Sequence, residues 1–347
     1  MVLTKTLMFL LSGEHPTLPL AEAQAAIQAE HKSFKVVEEY DQVLLAETGV
    51  SPEVLASRLA MTRGVYHYLC TVDVNDDILE AVGSSDIVDL VPHGKTFAVK
   101  ITRVKNSAPH IDTVDLARRI ADMIAEEVEY RVDLTEPQIE LLGVLTGESC
   151  VFGISEATVN RGEFLKRRPS ARPVFHPSTL PPILARCMVN LARTPRRGTF
   201  MDPFCGVGGI LIEAGLLGAR LIGVDAEGEM VEGCRKNLEA YGIRDFQLMI
   251  GDARRLPPVR ADAIATDPPY GRQATTMGSD LAGLYRDAIP SIAEALKEKG
   301  YLCITSPAEV NLEDIAQSAG LRLIESHEQR VHRSLTRRIQ TFRRKKG

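Results

Sequence analysis

The fold of this chain is decided by Thr199-Phe200-Met201-Asp202-Pro203-Phe204-Cys205-Gly206-Val207-Gly208-Gly209, which predicts a short strand that runs into a glycine turn. Ile210-Leu211-Ile212-Glu213-Ala214 follows and predicts the start of a helix. The glycines at 206, 208 and 209 let the backbone turn sharply and approach a ligand where a side chain would clash. This order indicates an α/β domain that binds a nucleotide-like ligand at the end of its first strand.

A dinucleotide dehydrogenase also has a glycine turn at this place. Its fingerprint is G-x-G-x-x-G/A, however, and the sixth position here is Leu211. The Asp202-Pro203 pair suits a pyrophosphate poorly, because a carboxylate repels phosphate, but it suits the ammonium and sulfonium groups of S-adenosylmethionine. We expect Cys205 to line the cleft and not to act as a nucleophile. The cofactor-binding residues predicted in this loop are Asp202, Phe204, Cys205, Gly206 and Gly208.

Two further acids follow later predicted strands. Leu221-Ile222-Gly223-Val224-Asp225 ends in an acid that suits the ribose hydroxyls of a nucleoside. The next strand leads to Gly251-Asp252-Ala253, where the acid could accept the adenine amino group. Ala226 and Ala253 are predicted to line the same site. For each acid taken alone, a helix N-cap after a strand is the simpler alternative.

A catalytic site is indicated by Asp267-Pro268-Pro269-Tyr270. This tetrapeptide follows the apolar strand sequence Ala263-Ile264-Ala265-Thr266. Two prolines remove backbone donors and stop the sheet, so the tetrapeptide is held at the carboxyl end of the strand, where open α/β sheets bind ligands. A carboxylate and backbone carbonyls there can accept hydrogen bonds from an exocyclic amino group, while the tyrosine ring stacks on a base. A plain Pro-Pro turn is the alternative, and the order of the four motifs argues against it. The predicted catalytic residues are Asp267, Pro268, Pro269 and Tyr270.

Residues from about 170 to 347 resemble a class I S-adenosylmethionine-dependent methyltransferase that acts on amino groups. Arg172-Pro173-Val174-Phe175-His176-Pro177-Ser178-Thr179-Leu180 resembles the segment that precedes the glycine loop in such enzymes and closes over the cofactor. The resemblance implies an α/β, Rossmann-like methyltransferase domain with a mostly parallel seven-stranded sheet. It also implies cofactor contacts from His176, Ser178, Thr179 and Asp267.

A narrower resemblance covers nearly the whole chain. Thr266-Asp267-Pro268-Pro269-Tyr270-Gly271-Arg272 and the tail Ser334–Ile339 are similar to the archaeal and eukaryotic tRNA guanosine-10 N2-methyltransferases. Leu10–Glu22 resembles the opening of that family, and Phe97–Arg103 with Tyr130–Leu134 resembles pieces of a THUMP domain. The resemblance therefore implies an α+β THUMP-type RNA-binding region in front of the methyltransferase domain, and tRNA as the partner.

The activity that this resemblance implies is methyl transfer from S-adenosylmethionine to N2 of a guanosine in tRNA, at position 10, with S-adenosylhomocysteine as the product. The guanine amine is a poor nucleophile because its lone pair is delocalised into the ring. Asp267 and the carbonyl of Pro268 would accept its two hydrogens and aim the lone pair at the methyl group, and Asp267 could receive the proton. Tyr270 would stack on the extruded base. Positioning supplies most of the acceleration, and no metal is needed.

Positive charge is segregated along a chain whose net charge is −5. Residues 161–200 carry nine Lys and Arg against one acid, and residues 326–347 carry eight against one. Such segregation is typical of a footprint for phosphates, although each cluster alone is also compatible with a solvated loop or tail. The predicted RNA-binding residues are Lys95, Lys100, Arg103, Lys105, Arg167, Arg168, Arg272, Arg333 and Arg337.

The expected organisation is a ferredoxin-like α/β domain (1–60), a THUMP domain (61–158), a linker (159–173) and the methyltransferase domain (174–347). None of the six cysteines falls in a C-x-x-C pair, so neither a zinc site nor a disulfide framework is predicted. No apolar run approaches the ~20 residues of a membrane span, and the short run Leu7–Leu11 does not make a signal peptide. We therefore expect a cytoplasmic protein with no membrane partner.

Several alternatives stay open at this point. The same chemistry could act on guanosine 6 of tRNA or on ribosomal RNA, and the sequence does not decide between one and two methyl groups. DNA adenine methylation also uses an Asp-Pro-Pro-Tyr motif, but the THUMP-like half argues for RNA. A non-catalytic RNA-binding protein is a remote alternative, because all four motif acids are present. Some eukaryotic relatives need a small activating protein, whereas a chain with a complete THUMP-like half is expected to act alone.

Overall fold

The computed structural model of the protein describes residues 4–30, 34–91, 94–269, 281–332 and 335–346. The chain divides into two compact units. The first comprises residues 1–14, 33–57 and 62–159, and the second comprises residues 15–32, 58–61 and 160–347. Within the described residues, no helix is both long enough and apolar enough to cross a bilayer.

Strands and helices alternate through most of the chain. The strands are β1 (Lys5–Leu11), β2 (Lys35–Tyr40), β3 (Val43–Thr48), β4 (Thr62–Asp73), β5 (Thr96–Arg103), β6 (Arg131–Val132), β7 (Ile139–Thr146), β8 (Ser149–Thr158), β9 (Thr199–Asp202), β10 (Arg220–Asp225), β11 (Phe246–Ile250), β12 (Ala261–Thr266), β13 (Leu296–Pro307), β14 (Leu321–His332) and β15 (Leu335–Arg344). The helices are α1 (Leu18–Glu30), α2 (Pro52–Arg58), α3 (Ile78–Gly83), α4 (Ile87–Leu90), α5 (Thr113–Glu127), α6 (Gly162–Lys166), α7 (Pro182–Leu191), α8 (Gly209–Leu216), α9 (Gly228–Ala240), α10 (Leu281–Ala295) and α11 (Leu312–Ser318).

The first unit is built on one eight-stranded sheet with the order β2-β3-β1-β4-β8-β7-β5-β6. The long strand β4 pairs antiparallel with β1 on one side and with β8 on the other. β1 lies in the expected N-terminal domain and β8 in the expected THUMP domain. The expected boundary at residue 60 therefore does not separate two sheets, because β4 joins the two segments.

Helix α5 covers part of this sheet, and the sequence shows why it forms there. Asp112 caps its start by accepting hydrogen bonds from the backbone N–H groups of Val114 (2.9 Å) and Asp115 (3.1 Å). Its buried residues recur four apart, at Leu116, Ile120 and Ile124. These residues face the sheet and anchor the helix on it.

The second unit contains a seven-stranded sheet with the order β11-β10-β9-β12-β13-β15-β14. The first five of these strands run parallel, and β15 runs antiparallel to both of its neighbours. The mostly parallel seven-stranded sheet expected from the sequence is thereby confirmed. The chain order reverses between β9 and β12, which creates the crevice where sheets of this kind bind ligands.

Helices cover both faces of this sheet, because adjacent strand residues point to opposite faces. Phe200, Leu221 and Cys303 pack into a core with α1, α7, α8 and α9, whereas their neighbours Met201, Ile222 and Leu302 pack into a core with α10 and α11. The site that the motifs predict therefore stands on a three-layered scaffold that is buried on both sides.

Helix α1 belongs to this second unit and not to the N-terminal sheet. Its Glu22 is fully buried and accepts hydrogen bonds from the backbone N–H of Met61 (2.7 Å) and from the side-chain amide of Asn190 on α7 (2.8 Å). Burial raises the pKa of the Glu22 carboxyl despite these bonds. The neighbouring Arg58 guanidinium pairs with Glu30 at 2.6 Å. Buried polar bonds thus fix an N-terminal helix to the second unit.

Candidate active site

Four acidic side chains follow parallel strands at one edge of the second unit's sheet. Asp202 ends β9 and Asp225 ends β10, while Asp252 and Asp267 lie within two residues of the ends of β11 and β12. The carboxyl ends of parallel strands share one edge, so the four sequence motifs meet there.

The glycine loop between β9 and α8 is tied to β10 by its backbone. The N–H of Cys205 donates to the carbonyl of Val224 (2.9 Å), and the N–H of Gly206 donates to the Asp225 carboxylate (2.8 Å). Gly208 has a φ of +87°, and a Cβ added to it would lie 2.7 Å from the sulfur of Cys234. Glycine is therefore required at 208 by both backbone conformation and space.

The buried thiol of Cys205 has a pKa well above its ordinary value. The first cause is its hydrogen bond with the Cys234 side chain, and burial adds to it. Since the thiolate is the reactive form of cysteine, a raised pKa makes Cys205 a poor nucleophile. The raised pKa supports the prediction that Cys205 does not act as a nucleophile.

Asp202 is a buried acid whose pKa is raised to about 7. Burial is the main cause, and the nearby acids Asp225 and Asp267 raise the pKa further. The hydroxyl of Thr266 (2.6 Å) and the N–H of Phe204 (3.1 Å) donate to the Asp202 carboxyl and counteract part of the shift. A carboxyl in this position is poised to ionise when a cation approaches it.

Asp225 and Asp252 differ in their surroundings. The two oxygens of Asp225 accept from the backbone N–H groups of Gly206 (2.8 Å) and Glu227 (3.0 Å), which fixes the orientation of the carboxylate. Asp252 is bracketed by Arg254, whose guanidinium lies 2.7 Å away and lowers the pKa of the carboxyl. Asp252 therefore already has a cationic partner, whereas Asp225 is held by backbone donors.

Asp267 stands beside the buried hydroxyl of Thr305 on the neighbouring strand β13, which donates to it. The carbonyl of Thr305 accepts a hydrogen bond from the buried Tyr285 hydroxyl on α10 (3.1 Å). Pro268 is buried and Pro269 is exposed. The carboxylate is therefore oriented from inside the sheet. Tyr270, the fourth predicted catalytic residue, lies outside the described residues.

The segment that precedes α7 approaches the glycine loop. The buried amide of Asn237 on α9 donates to the carbonyls of Val174 (2.9 Å) and Val207 (2.8 Å), so one side chain ties this segment to the loop. Thr179 lies close to the first residue of α8, because a Cβ on Gly209 would come within 2.8 Å of its methyl group. His176 and Ser178 bond each other at 2.7 Å. The structure thus brings Thr179 to the loop and leaves His176 and Ser178 in a turn beside it.

Sequence analysis did not identify Thr266, Asn237 or Thr305 as contributors to the site. Thr266 was visible only as the last residue of a strand. Asn237 acts on a segment 63 residues away, and Thr305 acts on a residue 38 positions away. Local sequence patterns do not predict such partners. A polar residue on the buried face of a strand, as at Thr305, does indicate that its side chain has a hydrogen-bond partner.

The predicted RNA-binding residues of the second unit differ in availability. Arg167 is engaged with the buried Glu213 at 2.9 Å, and its side chain is only 11% exposed. Arg337 is buried in the sheet. These two are therefore poor candidates for phosphate contacts, because little of either side chain is exposed. Arg168 is exposed. Arg272 and Arg333 lie outside the described residues.

The predicted RNA-binding residues of the first unit cluster on β5 and its ends. Lys95 and Lys100 are exposed. Lys105 pairs with Asp41 at 2.6 Å in an exposed ion pair, and Arg103 donates to the carbonyl of Ile111. Lys95 and Lys100 stay the better candidates, because the other two already have partners within the unit.

The residues of the acidic edge fit S-adenosylmethionine. Asp202 has raised pKa and contacts no cation among the described residues, which suits an ammonium or sulfonium group. Asp225 is oriented by backbone donors, as a carboxylate that chelates hydroxyls should be. The exposed side chain of Ile250 pairs in register with Asp225 and offers apolar surface to a planar ring.

Comparison with known proteins supports both halves of this description. Residues 169–339 match the family described as RMKL-like methyltransferase domains, and residues 74–155 match the THUMP domain family. The chain is 37% identical over 342 residues to the tRNA (guanine(10)-N2)-dimethyltransferase of Methanothermobacter thermautotrophicus, covering 97% of this chain and 99% of the relative. The enzyme of the same name from Pyrococcus abyssi is 34% identical over 92% of this chain and 94% of its own length.

Two solved structures resemble the whole chain. TrmN from Thermus thermophilus matches with a TM-score of 0.54 at 19% identity, and covers 98% of this chain and 99% of its own. A possible methylase from Clostridium difficile matches with a TM-score of 0.53 at 15% identity, over 99% of both chains. At these identities the likeness concerns the fold, and the predicted combination of a THUMP region with a methyltransferase domain is confirmed.

Proposed function

This chain belongs to the tRNA (guanine(10)-N2)-dimethyltransferase family, and on that premise we propose that Asp202 and Asp267 hold cofactor and substrate side by side for methylation of N2 of guanosine 10 in tRNA. The enzyme transfers methyl groups to the exocyclic amine of guanosine in tRNA. S-adenosylmethionine is the donor, and its sulfonium supplies an activated methyl group when it is bound. The names of the relatives support the addition of two methyl groups.

One observation carries the assignment of roles. β9 and β12 are neighbours in the sheet, so their terminal residues Asp202 and Thr266 meet, and the Thr266 hydroxyl donates to Asp202 at 2.6 Å. Asp267 is the next residue along the chain. The acid of the glycine loop and the acid of the Asp-Pro-Pro motif are therefore adjacent, and this adjacency supports a cofactor site next to an amine-binding site.

Asp267 prepares the guanine amine. Its carboxylate accepts a hydrogen bond from one N–H of the guanine N2 amine, and the carbonyl of Pro268 accepts one from the other N–H. These two bonds localise the lone pair of N2 and turn it towards the methyl group of S-adenosylmethionine. Thr305 donates to one oxygen of Asp267 and thereby fixes the orientation of the carboxylate. The proton that N2 loses passes to Asp267 or, through it, to water. The rate gain comes from this orientation and not from a covalent intermediate with the protein.

The cofactor is held by residues of the same edge. Asp202 faces the cationic end of the methionine moiety, the backbone of the loop at Gly206 and Gly208 makes the close approach, and Asp225 takes the ribose hydroxyls. Asp252 is the proposed partner of the adenine amine, with Arg254 setting its orientation. Phe204, Ala226, Ala253, Thr179, His176 and Ser178 complete the proposed lining.

Activity is tested on the purified full chain with an unmodified tRNA transcript and labelled S-adenosylmethionine, followed by mass spectrometry of the nucleosides. We expect N2-methylguanosine at early times and N2,N2-dimethylguanosine at position 10 at the end point, with no added protein. A transcript with adenosine at position 10 serves as the matched control and should take no label.

The possible failures separate the steps of the proposal. Label at another guanosine would keep the chemistry and reject the position. Cofactor binding without label in any tRNA would reject the substrate, and a chain that binds no S-adenosylmethionine would reject the proposed acidic edge as a cofactor site.

A further inference from the structure

Six basic side chains surround a groove of about 360 Å³ on the second unit, at the edge of the sheet opposite the acidic site. The sheet geometry fixes this location. β13 brings Thr305 to Asp267 at its carboxyl end, while its amino end carries Lys299. β15 runs the other way and brings its last residues to the same edge. The lining residues are Lys299, Arg322, Arg343, Arg344, Lys345 and Lys346.

Two of these side chains are anchored in a way that leaves their charge uncompensated. The Arg344 guanidinium donates to the carbonyls of Glu294 (3.0 Å) and Leu296. The Arg343 guanidinium donates to the carbonyl of Lys299 (3.4 Å) and lies 5.4 Å from the centre of the Tyr301 ring. Carbonyls and a ring orient a guanidinium without cancelling its positive charge.

No ion pair among the described residues involves any of the six groove cations, whereas other cations of the same sheet do have acidic partners. Arg338 pairs with Glu328 at 3.1 Å, and Lys297 pairs with Asp262 at 2.7 Å. Crowding six positive charges costs free energy unless an anion neutralises them. A smaller recess that shares Arg322 and Lys345 contains Glu313, so an acidic residue marks where the basic groove ends.

We propose that this groove, defined by the six residues above, binds backbone phosphates of the tRNA whose guanosine occupies the acidic edge. The proposal rests on the proposed function for the identity of the RNA. Tyr301 pairs in register with Arg343 of the groove, and Thr305 lies four residues further along β13, which is about 13 Å at the rise of a strand. Arginines with a fixed fork suit phosphate oxygens, and a shallow charged groove suits a helical arm bound by shape.

The test compares two triple variants of the full chain that each remove three positive charges. Arg322→Gln/Lys345→Gln/Lys346→Gln removes exposed groove cations and leaves the anchored arginines. The control, Arg220→Gln/Arg235→Gln/Lys236→Gln, removes exposed cations of the same unit outside the groove. Binding of an unmodified tRNA transcript is followed by fluorescence anisotropy between 50 and 300 mM KCl.

In the groove variant, we expect the slope of log K against log salt to fall in magnitude by about two, and the Kd to rise about tenfold near 150 mM salt. The control should change the Kd less than about twofold. S-adenosylmethionine affinity should be unchanged in both, which shows that the unit is folded. Equal effects of the two variants on the tRNA slope and Kd would overturn the proposal.

Two further outcomes separate this proposal from others. Loss of binding to phosphatidylserine vesicles in the groove variant, with tRNA binding intact, would make the groove a lipid-binding surface and reject our assignment. A wild-type protein that binds tRNA without methylating it would defeat the proposed function, while the salt slopes of the two variants would still decide the role of the groove.

Discussion

The two edges of the catalytic sheet carry opposite charge although the same strands build both. The carboxyl ends of the parallel strands present Asp202, Asp225, Asp252 and Asp267. The other edge presents the basic groove. β13 contributes to both edges, with Thr305 towards its carboxyl end and Lys299 near its amino end.

The edges differ in how their charges are satisfied. The acids are held by specific donors, such as the Thr266 hydroxyl on Asp202 and the Gly206 N–H on Asp225. The groove cations are mostly exposed and without acidic partners among the described residues. Fixed, buried charge recognises one small molecule by geometry, whereas exposed charge of one sign recognises a polyanion by number and is screened by salt. Changes at the acidic edge should therefore alter chemistry, and changes at the basic edge should alter salt-dependent affinity.

The largest effect should come from removing the Asp267 carboxylate, for which we propose a contact with the substrate. Asp267→Asn should lower kcat by about 10³-fold, because the amide cannot take up the proton from N2. S-adenosylmethionine affinity should change less than about threefold in titration calorimetry. Asp287→Asn, an exposed acid on α10, is the matched control and should keep wild-type activity. An Asp267→Asn enzyme with more than a tenth of the wild-type kcat would contradict the role given to this carboxylate.

Next in size is the effect of filling the glycine loop. Gly208→Ala forces a side chain into the left-handed region, at a φ of +87°, and into the Cys234 sulfur 2.7 Å away. We expect at least about a hundredfold loss of S-adenosylmethionine affinity and a drop of about 2–4 kcal/mol in the free energy of unfolding. Gly218→Ala has a similar φ of +82° with open space around it. It should cost only about 1–2 kcal/mol of stability and leave cofactor affinity intact.

Cofactor affinity should depend on pH through Asp202, whose pKa is about 7 before the ligand binds. A cationic ligand favours the ionised carboxylate, so the association constant for S-adenosylmethionine should rise about tenfold between pH 6 and pH 8. Calorimetry in buffers of different ionisation enthalpy should show proton release near neutral pH. Asp202→Asn should bind S-adenosylmethionine weakly and lose this pH dependence. A wild-type affinity that does not change from pH 6 to pH 8 would reject the proposed contact between Asp202 and the cationic end of the cofactor.

The same group has a calculable effect on stability without ligand. Between the unfolded pKa of about 3.9 and the folded pKa of about 7, the folded state holds a proton that the unfolded state has lost, so the free energy of unfolding falls as pH rises. The loss amounts to about 4 kcal/mol for a shift of this size. The free energy of unfolding of Asp202→Asn, measured by denaturation at pH 4 and pH 7, should lack this loss of about 4 kcal/mol. The difference from the wild type isolates the contribution of Asp202 from those of the other carboxyls.

Much of the acidic edge could be predicted from sequence because its residues lie in local patterns. An apolar run that ends in an acid or in a glycine turn specifies both a strand and the position of its last residue, as at Asp202 and Asp225. The charge state of Asp202 could not be predicted, since its raised pKa depends on burial and on acids that come from other strands.

The packing of an element could not be predicted where distant segments of the chain determine it. The strand Thr62–Asp73 lies between β1 and β8 and is at least half covered on both faces over most of its length, so it shows no two-residue alternation. The place of helix α1 in the second unit depends on the contacts of Glu22 with Met61 and Asn190, which are far away in the sequence. The basic tail was recognised as charge, and only the antiparallel return of β15 makes a groove of it.

A smaller effect is expected from the residue that positions Asp267 without contacting the substrate. Thr305→Val removes the hydroxyl that donates to this carboxylate and keeps the shape of the side chain, so the carboxylate should lose its fixed orientation. We expect kcat to fall about tenfold with little change in the KM for tRNA. Thr305→Ser keeps the hydroxyl and should restore kcat. A Thr305→Val enzyme with wild-type kcat would contradict the positioning role.

The smallest effect is expected from replacing one of two adjacent arginines. The comparison of Arg168 with Arg167 tests whether a positive charge in the sequence is enough to predict an RNA contact. Arg168 is exposed, so Arg168→Gln should reduce the magnitude of the tRNA salt slope by about 0.7 and weaken binding about two- to threefold. Arg167→Gln should leave the salt slope unchanged, because its guanidinium is engaged with the buried Glu213 at 2.9 Å. It should instead lower the free energy of unfolding by about 3 kcal/mol, since a buried carboxylate loses one of its two arginine partners. Equal salt slopes for the two variants would mean that burial does not decide which cations of this chain meet RNA, and would weaken the distinction on which the basic groove depends.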